Sequence, residues 1–349
     1  MRVKGKDFRT VWIEGPNEKP LIRMIDQRRL PFEFVIHNTR NVGETCLAIK
    51  DMTVRGAGAI GVTAAFGMAQ GVLEKDPEEA KKAIEATRPT AQNLFYAVNR
   101  VYEVASHSAN SVNDARKEAE AVAEEDVESC KKIGEYGAEL LKDSAHVLTH
   151  CNAGWLAFVD WGSALSPIYV AHREGKKIKV YVDDTQPREQ GGKLTAWELQ
   201  NEGVDYVISP DTAVAHLLEH GEVDIIIVGS DRIAANGDVA NKIGTQVVAR
   251  IARDFGVPFY VAAPTSTIDL NCSDGAHIPI EFRSEDEVLY KTGRTADGRI
   301  EKVLVVAPGS HAYNPSFDVT PASLIKGIIT QKGIIKPNAE EIRRVKQVF

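Results

Sequence analysis

The chain has 349 residues, of which 43% are hydrophobic and 26% are charged, a balance typical of soluble globular proteins. Lys and Arg together number 42 against 49 Asp and Glu, so the net charge of −7 leaves no basic surplus for binding a nucleic-acid backbone. No apolar run approaches the roughly 20 residues that a membrane-spanning helix needs.

The cysteines and the start of the chain indicate a cytoplasmic protein. The spacing of Cys46, Cys130, Cys151 and Cys272 matches neither a C-x-x-C motif nor a zinc site. Four cysteines in a chain of this length do not form a disulfide scaffold. The residues after Met1 lack the apolar segment of a signal peptide. We therefore expect reduced thiols and a cytoplasmic location.

The first part of the chain is predicted to form short strands followed by helices. Strand-like composition is found at Thr10–Glu14, Leu21–Asp26 and Glu33–His37. Helical periodicity follows at Ala59–Glu74, Ala91–Ser106 and Asn113–Lys142. The last of these helices is long and charged, as expected of a helix that links two domains or forms a subunit interface. We predict an N-terminal strand-plus-helix domain over residues 1–142.

The segment Arg55–Gly61 precedes the first predicted helix and carries glycines at positions 56, 58 and 61. Glycines let a backbone approach an anion closely, and a helix N-terminus attracts negative charge. The spacing matches G-x-G-x-x-G, but no strand precedes it, so we reject a dinucleotide site. A small phosphate site that involves Arg55 is the simpler interpretation, and tight helix packing is the alternative.

Arg88 also precedes a predicted helix, in which Pro89 suits the first turn. Its guanidinium can reach an anion at that terminus. The alternative is an ordinary solvated surface arginine.

From residue 143 onward, apolar segments alternate with helical ones. The apolar segments are His146–Thr149, Ile178–Val182, Val204–Ile208, Val223–Val228, Pro258–Ala262 and Lys302–Val306. Unbroken apolar runs predict strands buried on both faces, and strands that alternate with helices predict a parallel, doubly wound sheet. We therefore predict an α/β fold, with a Rossmann-like domain over residues 143–349. In such a sheet, ligands bind beyond the carboxyl ends of the strands.

The first of these strands leads into His150–Gly154, which places the thiol of Cys151 at the mouth of the sheet. A helix N-terminus after Cys151 would lower the pKa of the thiol and favour the thiolate. The alternative is that Cys151 is a small buried hydrophobic residue. Its polar neighbours His150 and Asn152 count against a plain core position.

The loop Asp183–Gly192 follows the second predicted strand and is polar. Gln190 in this loop is a candidate ligand of a sugar hydroxyl or an ordinary loop residue. Asp183 and Asp184 are interpreted as part of a solvated loop or hinge.

Asp231 follows the fourth predicted strand. Burial would raise the pKa of its carboxyl and suit it to proton donation, while Arg232 would act in the opposite direction. The alternative is a structural Asp that pairs with Arg232 or caps a helix. Asn241 and Lys242 are predicted to open the next helix, where a phosphate would bind favourably.

Common motifs for metals and nucleotides are missing from the sequence. The nine histidines form no H-E-x-x-H or H-x-H pattern, and neither a P-loop nor a G-x-S-x-G segment occurs. Metal or nucleotide dependence is therefore unsupported by sequence.

Taken together, these segments resemble methylthioribose-1-phosphate isomerases. The matching segments are Val54–Ala57, Ala59–Gly61, Arg88–Ala91, Thr149–Gly154, Gln190–Gly191, Leu194–Leu199, Asp231–Thr245, Ile278–Glu281 and Asn314–Pro321. They cover most of the chain, and the run from Asp231 to Thr245 is specific by itself. The same superfamily includes ribose-1,5-bisphosphate isomerase and the regulatory subunits of translation initiation factor 2B.

The resemblance implies a homodimeric enzyme of methionine salvage that converts 5-methylthioribose 1-phosphate into 5-methylthioribulose 1-phosphate without a cofactor. It implies that Cys151 and Asp231 are the catalytic pair. It also implies a set of substrate ligands, namely Arg55, Gly56, Ala57, Arg88, Gln190, Asn241 and Lys242. In this chemistry Asp231 would protonate the ring oxygen. Hydrogen would then move from C2 to C1, either as a proton through Cys151 or as a hydride.

Several residues near the expected pocket depart from the family pattern: Gly58, Trp155, Gln186, Ser230 and Phe282. Trp155 would either line or shrink the pocket for the 5-substituent, so 5-deoxyribose 1-phosphate and ribose 1,5-bisphosphate stay alternative substrates. A 5-phosphate would need further cations, for which Arg188 and Lys193 are candidates unless they are solvated surface residues.

An alternative of another class is a non-catalytic regulatory protein that resembles the initiation-factor subunits. Such a protein would not need both a thiol and an acid at these strand ends. The joint presence of Cys151 and Asp231 therefore favours an enzyme.

Overall fold

The computed structural model describes residues 1–74, 76–88 and 91–347. Pro89 and Thr90, which belong to one of the motifs above, lie outside the described residues. Within the described ranges, no helix combines the length and the apolar character that crossing a bilayer requires.

The N-terminal part consists of short strands and a helical layer. Its strands are β1 (Arg2–Val3), β2 (Lys6–Asp7), β3 (Val11–Glu14), β4 (Leu21–Ile25) and β5 (Ile36–Thr39). Its helices are α1 (Val42–Lys50), α2 (Ala57–Leu73), α3 (Pro77–Glu85), α4 (Gln92–Ser106) and α5 (Ser111–Ala138). Strands β3, β4 and β5 form an antiparallel sheet. Almost every residue of α2 is buried, because this apolar helix is surrounded by the other helices.

The predicted strands and helices of this part are present with small shifts at their ends. The strands β1 and β2 and the helices α1 and α3 were not assigned from the sequence. The side chain of Asn41 accepts a hydrogen bond from the backbone N–H of Glu44 and so caps α1. The backbone N–H of Arg40 also donates to the carboxylate of Glu44. The pattern Asn41-x-x-Glu44 was therefore the overlooked signal for a helix start.

The C-terminal part carries the remaining elements. Its strands are β6 (His146–Thr149), β7 (Lys179–Asp183), β8 (Asp205–Ser209), β9 (Ile225–Val228), β10 (Arg232–Ala234), β11 (Val239–Lys242), β12 (Phe259–Ala262), β13 (Ile268–Asp269), β14 (Tyr290–Arg294), β15 (Ile300–Leu304), β16 (Phe317–Thr320), β17 (Gly327–Thr330) and β18 (Gly333–Ile335). Its helices are α6 (Ser166–Arg173), α7 (Ala196–Glu202), α8 (Val214–Glu219), α9 (Thr245–Phe255), α10 (Asp286–Leu289) and α11 (Ala339–Gln347).

A seven-stranded sheet in the order β18-β17-β12-β9-β6-β7-β8 forms the centre of this part. All neighbouring strands are parallel except the pair β17–β18. In β9, Ile225 and Ile227 face one hydrophobic core while Ile226 and Val228 face the other. This alternation confirms the prediction of an α/β fold whose central strands are buried on both faces, whereas the edge strand β8 is largely exposed.

The strand order reverses between β6 and β9. From β6 the chain continues outward through β7 and β8, whereas β9 is followed by β12 and β17 on the other side. When the loops after two adjacent strands run in opposite directions, a crevice opens between them at the carboxyl ends of those strands. Cys151 follows β6 and Asp231 follows β9, so both residues lie at this crevice.

The prediction that Lys302–Val306 is a strand of the parallel sheet is wrong. Strand β15 instead pairs with β14 in a separate antiparallel hairpin. The dipeptide Asp297-Gly298 in the connecting turn, with φ +89° at Gly298, is a hairpin signal. Strands β17 and β18 supply the sheet positions that the sequence analysis did not assign.

Helix α5 packs against α2 and α4 and also against α6 and β17. It therefore lies along both parts of the molecule. The division into domains at residue 142 stays a prediction.

Candidate active site

Cys151 is held in an uncommon backbone conformation directly after β6. Its φ is +67°, a value that residues other than glycine seldom adopt. Its backbone N–H donates to the Oγ1 atom of Thr185 at 2.8 Å, and its carbonyl accepts from the Oγ1 atom of Thr195 at 2.7 Å. The thiol donates to the Oε1 atom of Gln190 at 3.6 Å. The surrounding contacts thus fix both the backbone and the sulfur.

The environment of the thiol differs from the prediction. No α-helix begins directly after Cys151, since the next helical turn is the short 3₁₀ segment Trp155–Ala157. Burial raises the pKa of the Cys151 thiol above its ordinary value, and the charges of Lys242 and Arg55 act in the opposite direction. Thiolate stabilisation here depends on these two cations and on a hydrogen bond from the backbone N–H of Asn152, and not on a helix dipole.

Asp231 lies between β9 and β10, where its backbone N–H donates to the carbonyl of Ala240 at 2.9 Å. Burial raises the pKa of its carboxyl, while Lys242 and Arg88 lower it. Arg232 forms an ion pair with Asp269 at 3.2 Å. A carboxyl with a raised pKa is suited to donating a proton.

Arg55 and the start of α2 form one wall of the site. A Cβ atom on Gly56 would lie 2.3 Å from the Cα atom of Ala157, and the φ of Gly56 is +95°. Glycine is therefore required here both for close packing and for backbone conformation. The guanidinium of Arg55 donates to the side-chain oxygen of Asn152 and, at 2.8 Å, to its carbonyl. Both earlier interpretations of this segment, close packing and an anion site, are compatible with this geometry.

A buried carboxylate lies behind Asn152. Glu198 accepts hydrogen bonds from the Nδ2 atom of Asn152 at 2.8 Å and from the hydroxyl of Tyr169 at 2.8 Å. It also accepts from the backbone N–H groups of Trp155 and Leu156. Burial raises the pKa of Glu198 to about 7, although these hydrogen bonds favour its ionised form.

Asn241 and Lys242 lie at the end of β11 and do not open a helix as predicted, because α9 begins at Thr245. The amide of Asn241 donates to the Oγ1 atom of Thr245 at 3.0 Å. The ammonium of Lys242 lies 5.1 Å from the centre of the Phe317 ring. Burial lowers the pKa of Lys242, whereas its neighbours Cys151 and Asp231 raise it.

One cavity brings all nine predicted site residues together. Its lining includes Arg55, Gly56, Ala57, Arg88, Cys151, Gln190, Asp231, Asn241 and Lys242. The sequence analysis missed other residues of this lining, among them Met52, Phe158, Ser163, Arg283, Ser316 and Phe317. Phe317 belongs to a family-like segment, which was a usable signal, whereas Phe158 had none. The roles of the nine residues stay predictions.

The expectation that Trp155 borders the pocket is not met. Trp155 is fully buried and packs near Trp197, with 6.0 Å between ring centres. The cavity is lined by Ala157 and Phe158 of the same segment and not by Trp155. Trp155 can therefore affect the pocket only through the packing of its neighbours.

The interpretation of Asp183 as a solvated loop residue is wrong. Its side chain is fully buried, and its Oδ2 atom lies 3.0 Å from the Nδ1 atom of His150. Asp184, in contrast, is only partly buried and accepts from the amide of Gln186 at 2.6 Å.

Arg188 and Lys193, the candidate cations for a second phosphate, are engaged in ion pairs. Arg188 pairs with Glu287 at 2.9 Å, and Lys193 pairs with Glu189 at 2.5 Å. Arg188 lines the site cavity. It also lines an adjoining cavity, and Lys193 lines only that second one. Both side chains are partly buried, so neither is a fully solvated surface residue.

A small side cavity, here called the annex, adjoins Asp231. It shares Gly56, Ala57, Arg88, Asp231 and Phe317 with the site cavity. Beyond these it is lined by five apolar residues, Ile60, Ala91, Ala240, Ile278 and Pro279, and by three polar ones, Gln92, Asn93 and Arg232. Both of its cations are engaged in ion pairs, Arg88 with Glu281 at 3.3 Å and Arg232 with Asp269 at 3.2 Å. The annex thus offers an apolar surface directly beside the predicted acid.

Comparisons with known proteins agree with this geometry. The model of the initiation factor 2 subunit family matches residues 53–337. Methylthioribose-1-phosphate isomerase of Methylorubrum extorquens is 50% identical over 348 residues, which cover 96% of this chain and 95% of the relative.

Two solved structures are similar over nearly the whole chain. The crystal structure of 5-methylthioribose 1-phosphate isomerase from Pyrococcus horikoshii OT3 has a TM-score of 0.85 and 42% identity, and covers 99% of this chain and 97% of that one. The crystal structure of translation initiation factor eIF-2B, subunit delta, from A. fulgidus has a TM-score of 0.80 and 37% identity, with coverage of 98% and 100%.

Proposed function

This chain belongs to the initiation factor 2 subunit family, and we propose that it is the member that converts 5-methylthioribose 1-phosphate into 5-methylthioribulose 1-phosphate in methionine salvage. The relative that is 50% identical over nearly the full length carries the name of this isomerase. The observation that carries the proposal is the placement of Cys151 and Asp231 in one cavity together with Lys242.

The proposed binding of the 1-phosphate follows from the local charges. Arg55 and Lys242 are buried cations of the site, and the N-terminus of α2 at Gly56 and Ala57 faces the same cavity. A phosphate is stabilised both by such cations and by unpaired N–H groups at a helix N-terminus. The buried amides of Gln190 and Asn241 are suited to the sugar hydroxyls or the phosphate oxygens.

The proposed chemistry starts with the ring oxygen. Because C1 carries a phosphate ester, the ring cannot open by loss of a hydroxyl proton, and an acid must protonate the ring oxygen. Asp231 is assigned this role because burial raises the pKa of its carboxyl. The hydrogen at C2 is then transferred to C1. As C2 becomes the ketone carbon, its hydroxyl proton is released and restores the proton of Asp231. The protons then balance, and the overall oxidation state of the sugar is unchanged.

Cys151 is assigned to the transfer step. As a thiolate it would take the C2 proton and return it to C1. In the alternative route a hydride moves directly, and the sulfur stabilises the positive charge that develops. In both routes, exclusion of water from the site by the bound substrate would strengthen the electrostatic interactions.

The annex is proposed to hold the 5-substituent. The ring oxygen is bonded to C4, and C4 carries C5, so a substituent on C5 lies near the acid that protonates the ring oxygen. Apolar walls favour a methylthio group. They disfavour a 5-phosphate, whose charge would need cations that are not already paired. Arg88, the cation that the annex shares with the site, already pairs with Glu281.

We further propose a homodimer located in the cytoplasm. Apolar side chains are exposed on the edge strand β8, at Val207 and Ile208, and on strand β15, at Val303 and Leu304. Exposed apolar groups on a sheet edge and a hairpin are suited to burial against a second copy. Light scattering coupled to gel filtration would measure the mass, and a monomer at micromolar concentration would contradict the dimer.

The regulatory alternative is favoured by one observation, the similarity to subunit delta of eIF-2B from A. fulgidus. A direct assay separates the two functions. Purified protein would be tested with ribose 1-phosphates that carry 5-methylthio, 5-deoxy or 5-phospho groups. We expect the highest kcat/KM with the methylthio substrate, and a loss of at least about 100-fold in Asp231→Asn with the fold intact. Absence of turnover with all three substrates would contradict the isomerase and favour the regulatory function.

A further inference from the structure

His150 lies next to the proposed catalytic thiol, and its ring is buried between two hydrogen-bond acceptors. The Nδ1 atom lies 3.0 Å from the Oδ2 atom of Asp183, and the Nε2 atom lies 2.9 Å from the carbonyl oxygen of Ile243. A carbonyl oxygen only accepts, and so does an ionised carboxylate. Burial raises the pKa of the Asp183 carboxyl, and its hydrogen bond with His150 lowers it. With Asp183 ionised, both ring nitrogens must carry hydrogen, which makes the ring an imidazolium.

The charges around the ring favour this form. Asp183 at the end of β7, Asp211 after β8 and Asp318 on β16 contribute carboxylates, whereas Lys242 at the end of β11 contributes a cation. Burial lowers the pKa of His150. The hydrogen bond and charge of Asp183, together with the Ile243 carbonyl, raise it by more than burial lowers it, so the pKa lies above its ordinary value.

The backbone beside the ring is shaped to admit it. Gly244 has φ +102°, and a Cβ atom there would lie 2.9 Å from the Cε1 atom of His150. The N–H of Gly244 donates to Asp318 at 2.8 Å, which holds this turn in place. Any side chain at position 244 would displace the ring from the Ile243 carbonyl.

The two hydrogen bonds connect three strand ends. Asp183 ends β7, His150 precedes Cys151 after β6, and Ile243 follows Lys242 after β11. We propose that His150 is a positioning residue, a permanently protonated imidazolium that fixes the Cys151 segment relative to the segment that carries Asn241 and Lys242. Its kinetic effect rests on the proposed isomerase function, whereas its protonation state does not.

A metal ion is the competing explanation for this cluster, because ligand atoms of His150, Asp183 and Asp211 lie within 4.8 Å of one another. However, the two carboxylate oxygens of Asp211 already accept from the N–H groups of Thr185, at 2.6 Å, and Gln186, at 2.8 Å. A metal would also have to replace the ring hydrogen that bonds Asp183. A proton on His150 satisfies the same groups without breaking these contacts.

The protonation state can be measured directly by nitrogen NMR on the full chain with ¹⁵N-labelled histidine. The His150 signals would be assigned by their loss in His150→Gln. We expect both ring nitrogens to be protonated between about pH 6 and 9, an interval in which an ordinary imidazole titrates. A single protonated nitrogen at neutral pH, or a shift when Zn²⁺ or Mn²⁺ is added, would overturn the proposal. This measurement does not depend on isomerase activity.

Two matched substitutions test the positioning role. The longer amide of His150→Gln can reach the Ile243 carbonyl, whereas the amide of His150→Asn can reach only Asp183. We expect KM for the sugar phosphate to stay within about twofold in His150→Gln and to rise about tenfold in His150→Asn, a change that corresponds to one hydrogen bond.

Alkylation of Cys151 by iodoacetamide provides a second readout, with Cys151→Ala as the background for the other three cysteines. Both substitutions remove the positive charge, so we expect the pH profile of alkylation to move to higher pH in both. Equal KM values in the two variants, combined with an alkylation profile like that of the parent, would reduce His150 to a structural residue and overturn the positioning role. If neither variant folds, the NMR result on the parent decides.

Discussion

The Nδ2 atom of Asn152 donates to the Oε1 atom of Glu198 at 2.8 Å, and this contact determines how Arg55 is held. Because the amide nitrogen is directed at Glu198, the amide oxygen of Asn152 must face the other way, toward the Arg55 guanidinium. Glu198 thus orients a cation of the proposed phosphate site without touching it. Gly154 makes this possible, since a Cβ atom there would lie 1.9 Å from the Glu198 carboxylate.

We expect Glu198→Gln to weaken both the fold and phosphate binding. Each oxygen of Glu198 accepts two of the four hydrogen bonds, so an NH₂ group in place of either oxygen faces two former donors. Only the Tyr169 hydroxyl can reverse its role and accept, so at least one contact becomes repulsive. The free energy of unfolding should fall by about 1–3 kcal/mol, and KM should rise more than kcat falls. Urea unfolding and steady-state kinetics measure the two effects. Glu219→Gln on the exposed face of α8 is the control, and equal behaviour of the two variants would contradict the role of Glu198.

Asp126 predicts a pH-dependent stability. Burial raises the pKa of Asp126 to about 7, while its Oδ2 atom accepts from the N–H of Val159 at 2.7 Å. An acid whose pKa is higher in the folded than in the unfolded state makes its full contribution to stability below the unfolded-state pKa. That contribution is lost as the pH rises toward the folded-state pKa. Asp126→Asn keeps the hydrogen bond through its amide oxygen and removes the charge. We compare the free energy of unfolding of Asp126→Asn with that of the parent at each pH. We expect this difference to favour the variant by about 2–3 kcal/mol more at pH 8 than at pH 5.

Urea unfolding at the two pH values tests the Asp126 prediction. Asp7→Asn, which changes an exposed carboxylate, is the control and should show no such difference. A gain that is equal at both pH values would mean that Asp126 is not the titrating group.

Lys242 should control the reactivity of the proposed catalytic thiol. Its charge lowers the pKa of Cys151 and of Asp231, against the effect of burial on both groups. Lys242→Met keeps the side-chain length and removes the charge. We therefore expect the pH midpoint of Cys151 alkylation to rise by about one unit, since a charge nearby shifts a pKa by about 1–3 units. Lys326→Met, at an exposed position, should leave the midpoint unchanged, and an unchanged midpoint in Lys242→Met would rule out its electrostatic role.

The annex makes a prediction about substrate preference. Ala91→Leu fills part of the annex beside Asp231 without introducing charge. We expect kcat/KM for the 5-methylthio substrate to fall about tenfold relative to that for the 5-deoxy substrate. The two substrates differ by a sulfur and a methyl group, and a difference of this size typically changes discrimination by about 1–3 kcal/mol. Ala86→Leu at the exposed end of α3 is the control. If both substrates lose activity equally, the 5-substituent binds elsewhere.

The sequence predicted the central sheet because β9 and its neighbours are short apolar runs that only a doubly buried strand tolerates. It also placed Cys151 and Asp231 at the carboxyl ends of strands, which share one edge of a parallel sheet. That these two strands are neighbours is shown by the structure alone. It failed where burial depends on a distant partner. Asp183 is buried because His150, from another strand, pairs with it, and no local pattern of polar residues reveals such a partner.

The same limitation explains the wrong assignments of β15 and of the Lys242 segment. An apolar run such as Lys302–Val306 predicts a strand but not which strand it pairs with. Asn241 and Lys242 follow a turn and precede a helix, and the strand β11 that carries them is too short for its alternation to be recognised. Trp155 was misplaced because a large side chain beside a catalytic segment can point into the core as readily as into the pocket.

The contact between Arg55 and Asn152 has a consequence for synthesis of the chain on the ribosome. Arg55 is made 97 residues before Asn152, so the cation exists long before the peptide that accepts its hydrogen bonds. An unpaired guanidinium cannot be enclosed in an apolar interior at an acceptable free energy. We therefore expect the nascent N-terminal helices to keep the start of α2 open to water until β6 and the segment after it have emerged, so that the phosphate site closes only when the catalytic cysteine is already present.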